Sequence, residues 1–156
     1  MSDKKNVLIL GLNEFNRKFL QTIRGSSNYE FHTLIGNDEI EEPQKHHDVK
    51  ELLDQARKEL KNFPGKIDAI IGYIDMPVGF MVPILCEEWN LPTASLESVF
   101  KCQHKYWSRK LQREVISDYV PNFSLVDPFS PDPLSQVEQK YTYWLKPIKS
   151  AGSYLA

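Results

Sequence analysis

The chain has 156 residues, enough for one ordinary core or for a core plus the start of a second unit. Its 41% hydrophobic and 26% charged content is that of a globular protein and leaves no room for a low-complexity reading. A net charge of −2 gives no electrostatic reason to expect nucleic acid or an anionic membrane as partner. Two cysteines, Cys86 and Cys102, lack metal-ligand spacing and read as free, mostly buried thiols. The first apolar run is too short for a signal segment, and no later stretch approaches membrane-spanning length. The expected location is therefore the cytoplasm, with no membrane association.

Val7-Leu8-Ile9-Leu10 is a continuous apolar run, as expected of a strand covered on both faces in a parallel sheet. Gly11 turns the chain into a helix with Asn13 as its N-cap, and Phe15, Phe19, Leu20 and Ile23 line one face as a core-facing stripe does. Gly25 closes that helix, and residues 29–35 form a second strand. The acidic stretch 37–44 reads as loop. Asp48 with Glu51 resembles a capping box, after which Val49, Leu52, Leu53, Ala56 and Leu60 give a helical stripe ending at Pro64-Gly65. Residues 67–73 form a third strand. Helical spacing returns with Met81, Val82, Leu85 and Trp89, so Pro83 lies in the first turn or kinks the helix. Leu91-Pro92-Thr93-Ala94 reads as a short fourth strand.

Alternating strands and helices predict an α/β fold, a Rossmann-like open parallel sheet with right-handed crossovers over residues 1–100. Residues 101–156 have another character. A basic helix spans about 104–119, and Pro121 breaks it. Phe123-Ser124-Leu125-Val126 is a candidate strand, and 127–135 is a loop or linker. No internal repeat is present.

The turn after the first strand, Gly11-Leu12-Asn13-Glu14-Phe15-Asn16, has one glycine where a dinucleotide fingerprint has three. A Cβ at the second position would hold a pyrophosphate away, so the architecture does not imply NAD or FAD. Lys101, Lys105, Arg109 and Arg113 recur every four residues and share a face if the helix begins early enough. Trp107, Leu111, Val115 and Tyr119 form the opposing apolar stripe. For Arg109 and Arg113 a solvated basic face is a sufficient account. Farther on, Tyr141, Tyr143 and Leu145 alternate with Thr142, Trp144 and Lys146, which predicts a strand ended by Pro147. Ser150, Ala151, Gly152 and Ser153 are small enough for a phosphate to meet backbone amides, and the hydroxyls add donors. Asp75 follows a strand, at the carboxyl edge where open sheets bind ligands, although capping of the helix beginning near Pro77 is the favoured account of it. His46-His47 is a poor metal pair, since neighbours in sequence diverge.

Taken together, Gln103-His104-Lys105-Tyr106-Trp107-Ser108-Arg109, Tyr119-Val120-Pro121, Trp144-Leu145-Lys146-Pro147 and Ala151-Gly152-Ser153 resemble, in order and spacing, the ATP-grasp superfamily of biotin carboxylase, carbamoyl-phosphate synthase and carboxylate–amine ligases. The resemblance implies a pre-ATP-grasp domain at 1–100 and the incomplete beginning of an ATP-grasp domain at 101–156. It implies that Lys105 and Lys146 contact nucleotide, that Ser150, Gly152 and Ser153 belong to a loop covering the phosphates, and that Asp75 faces the acceptor substrate. By the same resemblance the enzyme is a ligase using ATP and Mg²⁺, passing through an acyl phosphate on a small carboxylate that a nucleophile then attacks. The metal ligands are expected beyond Ala156, so the 156 residues are expected to be inactive alone. His104 stands where the family commonly has an aspartate, and the loop has fewer glycines than many members. A stand-alone Rossmann-like binding or regulatory module is the alternative reading.

Overall fold

The structure is a computed structural model in which residues 4–40 and 48–149 are described. The chain forms two compact units, Met1–Leu96 and Glu97–Ala156. In the first, three parallel strands make an open sheet in the order β2-β1-β3, with β1 Lys5–Leu10, β2 Tyr29–Leu34 and β3 Ala69–Gly72. Val7 is opposite Phe31 on one side and Ala69 on the other; Leu10 is opposite Leu34 and Gly72. Helices α1 Glu14–Thr22, α2 Asn37–Ile40, α3 Val49–Asn62 and α4 Val78–Glu88 connect and follow the strands. This is the α/β fold expected from the sequence.

Because successive strand residues point to opposite faces, β1 serves two cores. Leu8 and Leu10 join Leu34 and Ile70 beneath α3 (Leu52, Leu53, Ala56, Leu60) and α4 (Val78, Met81, Leu85, Cys86). Burial of each such aliphatic side chain stabilises the fold by roughly 1.5–3 kcal/mol. Val7 and Ile9 face the other way, where Leu12, Leu20, Phe31 and Ala69 complete a smaller cluster. Asp48 caps α3 by accepting from the Lys50 N–H, and the predicted stripe of α3 is the buried one. Pro83 lies in the second turn of α4, buried.

Two glycines are required by their surroundings. Gly11 has φ +71°, and its N–H donates to Leu34 and Ile35 carbonyls while Tyr73 donates its hydroxyl to the Gly11 carbonyl. A Cβ at Gly72 would collide with Val78, so α4 can sit against β3 only over a glycine.

Three expectations for this unit are corrected. Phe15, Phe19 and Ile23 are exposed, Phe15 at 77%. Arg17 sets the rotation of α1 by donating to the Phe31 carbonyl (2.9 Å) and to Thr33 Oγ1 (2.6 Å), which turns Leu20 inward and the aromatic stripe outward. Residues 91–94 are not a strand: Pro92 has no donor, and the Leu91 N–H closes the end of α4 on the Cys86 carbonyl. Within 37–44, residues Asn37–Ile40 are a short helix, with Ile40 buried; 41–44 lie outside the described residues, as does His46-His47.

The second unit contains α5 Leu96–Gln103 and α6 Lys105–Ile116, and among its described residues there is no strand. Residues 123–126 and 143–146 have no regular secondary structure and no ladder, and 141–142 form a bend. Beside these stretches, the Glu138 N–H donates to Ser124 Oγ and the Asp127 N–H to Gln136 Oε1. Among the described residues no helix is long and apolar enough to cross a membrane.

Candidate functional site

The site is built around the joint between α5 and α6. His104 is 8% exposed and belongs to both helices: its N–H donates to Phe100 of α5, and its carbonyl accepts from Ser108 of α6. Its Nδ1 accepts from the Trp107 N–H at 3.3 Å, making the imidazole the N-cap of α6, and its ring stacks on the Trp107 indole at 4.3 Å. The imidazole thus performs the short-range task of a capping carboxylate, namely accepting from the first turn. Lys105 follows directly. Its backbone N–H donates 3.1 Å to the carbonyl of Ile148, two residues beyond Lys146, and so ties the start of α6 to the Lys146-Pro147 segment.

Lys105 and Lys146 line one cleft of about 1220 Å³, wholly within residues 102–148. Arg109, Arg113 and Lys140 line it as well, giving five cationic side chains against a single carboxylate, Glu138. Among the described residues, Arg109, Arg113, Lys140 and Lys146 make no ion pair; Arg109 instead donates to Gln112, and Arg113 lies 4.2 Å over the Phe123 ring. Lys146 Nζ sits 5.9 Å from the ring of Trp144, which is 82% exposed. Tyr106, Phe123, Tyr143 and Trp144 give the walls flat aromatic faces. An anionic oxygen about 4 Å from one such ammonium gains on the order of 1 kcal/mol in bulk water and about 4 kcal/mol near a protein surface, before desolvation. Several cations with planar apolar walls suit a polyanion that carries a ring.

The remaining predicted positions fall elsewhere. Asp75 is exposed in the turn between β3 and α4, in the first unit; its carbonyl accepts from the Gly79 N–H, and α4 has no side-chain cap, so the capping alternative is not realised. Ser150, Gly152 and Ser153 lie outside the described residues. Lys101 does not share the α6 face: it is on α5 and pairs with Glu97 at 2.6 Å. Cys86 is buried, whereas Cys102 is exposed on the cleft wall, contrary to the expectation of buried thiols. Arg109 and Arg113, for which a solvated basic face sufficed in the sequence, line the cleft at four-residue spacing from Lys105, and Lys140 joins them there.

One solved structure shares the fold of this chain. The chain superposes on an L-amino acid ligase from Bacillus licheniformis with a TM-score of 0.55 and 17% identity, over 96% of this chain. The chain spans 39% of the length of that ligase. No family model and no curated protein matches the sequence. Among the described residues no three His, Cys, Asp or Glu side chains cluster as a metal site, and Glu138 is the one carboxylate on the cleft.

Proposed function

We propose that these residues form the front portion of an ATP-dependent ligase of ATP-grasp type and that the Lys105–Lys146 cleft holds the nucleotide. The reading is carried by one observation: five cations, opposed by one carboxylate and flanked by aromatic rings, converge on a single cleft. Fixed ammonium and guanidinium groups lower the cost of holding a triphosphate, and the rings offer a base its face. The fold of an amino acid ligase supports the same class. In this reading the full reaction transfers the γ-phosphoryl group to a small carboxylate, and a nucleophile then displaces phosphate from the acyl phosphate. Asp75 is assigned to the acceptor side, and Ser150, Gly152 and Ser153 to the phosphate-covering loop. Mg²⁺ ligands are assigned to residues outside this chain.

Titration of a non-hydrolysable ATP analogue against the protein and against Lys146→Ala tests the assignment. Loss of one charge-assisted contact is expected to weaken binding roughly tenfold or more. Equal affinities remove Lys146 from the site.

A further inference from the structure

The two faces of the sheet in the first unit are covered unevenly. Helices α3 and α4 pack on the face of Leu8, Leu10, Ile70 and Gly72, and α1 serves the other through Leu20. Ala69 lies on the α1 face, so Ile71 and Tyr73 lie on it too, since alternate strand residues share a side. Both are exposed, Tyr73 at 48%, although its hydroxyl accepts from the Asn13 N–H at 3.4 Å. The rotation of α1 decides what stands beside them. With Leu20 on the sheet, Arg17 lies about 60° round the helix toward β2, which it bonds, and Phe19 and Ile23 lie about 100° and 60° round the opposite way. Because β1 is the middle strand, the opposite way is toward β3. Phe15, Phe19 and Ile23 thus make an exposed ridge beside a shallow floor of Ile71 and Tyr73, with Phe19 61% exposed.

We infer that this surface binds a second copy of the chain about a two-fold axis, the α1 ridge of each copy filling the β3 floor of the other. Three features select that occupant. The first is area: at about 150–250 Å² for a whole aromatic side chain, the five exposed residues offer on the order of 500 Å² of apolar surface. Covered on both copies, that reaches the roughly 1,000 Å² a specific interface needs. The second is shape. Ridge and floor lie side by side on one patch, and a two-fold axis brings each against the other, as a self-complementary contact requires. The third is charge. Glu14, Arg17 and Lys18, the charged residues of α1, all lie about 100° or more from Phe19, so two copies meet without like charges opposed on their helices.

Sedimentation equilibrium over a concentration series tests this on the wild-type chain, Phe19→Glu, Ile71→Glu and Val115→Glu. Val115 is an exposed apolar residue of α6 and controls for indiscriminate sticking. The expected result is a monomer–dimer equilibrium whose dissociation constant rises about tenfold or more in Phe19→Glu and in Ile71→Glu and is unchanged in Val115→Glu. Phe19→Glu is expected to melt as the wild type does under dilute, monomeric conditions, because its side chain is exposed. A wild-type chain still monomeric at about 1 mM overturns the proposal. There, a Phe19→Glu variant that melts lower than wild type would assign the trough to a segment of the chain itself. Dimers that survive Phe19→Glu, or that Val115→Glu abolishes, place the contact elsewhere and overturn it too. Open-ended growth in place of dimers contradicts the two-fold axis.

Discussion

Lys105 and Lys146 are held by different means, and this sets what substitution does to each. Lys105 is anchored through its backbone, by the helix start and by the bond to Ile148, so Lys105→Ala removes a charge without moving the chain. Lys146 rests near the face of Trp144, and cation–π attraction there is worth about 0.5–1 kcal/mol at an exposed site. Trp144→Ala is therefore expected to weaken analogue binding two- to fivefold while leaving thermal stability unchanged, a split that titration and melting together detect. At Gly72 the balance is reversed. Gly72→Ala forces a methyl group into Val78 and is expected to lower stability by about 1–3 kcal/mol in denaturant unfolding, since core overpacking costs that much. Both lysines stand out as candidates in the sequence because each lies next to a boundary signal. Lys140 does not, since a lone lysine in a turn-rich stretch carries no period and reaches the cleft only through the tertiary path of the chain.

At the scale of elements, α3 and α4 are joined by a fork. Arg57 Nε and Nη2 donate to the two oxygens of Glu88 at 2.9 and 2.6 Å, and Nη1 to Asp54 at 2.8 Å. The guanidinium hydrogen bonds hold the Glu88 carboxyl below its ordinary value of 4.5. A depressed carboxyl contributes stability that is fully present above the unfolded value and is lost as pH falls through the folded one. Both side chains are about a third exposed, so screening limits the pair to about 0.5–1 kcal/mol. Glu88→Gln is expected to melt a few degrees below wild type at pH 7, and the gap to close as pH drops below 4.5; a gap independent of pH would contradict the pair's role.

Three strands and the helices α1, α3 and α4 of the first unit were legible, because β1 is apolar on both faces and α3 keeps a clean period, whereas the strand expected at 91–94 is absent and α2 was read as loop. The orientation of α1 was not legible. Its stripe of Phe15, Phe19 and Ile23 has helical spacing, yet a buried-backbone contact by Arg17 decided which side faces the sheet. Alternation over 141–146 likewise named a strand where no ladder partner exists among the described residues, and a period of two cannot supply one.

For the whole molecule, one unit supplies a sheet with Asp75 at its carboxyl edge, and the other supplies a basic cleft with one carboxylate. A phosphoryl-transfer centre needs metal ligands in addition to cations, and the cleft's described residues do not provide them. The 156 residues alone are accordingly expected to bind nucleotide without hydrolysing it, as a phosphate-release assay would record; measurable turnover would contradict the division of labour proposed for the chain. Cys102 offers the most direct test of whether nucleotide occupies the cleft, because its thiol is exposed on the cleft wall while Cys86 is buried. The decisive measurement is the alkylation rate of Cys102 with and without ATP. Slowing by saturating ATP, at a midpoint that shifts upward in Lys105→Ala and Lys146→Ala, is the expected result; an alkylation rate that ATP leaves unchanged would place the nucleotide outside this cleft.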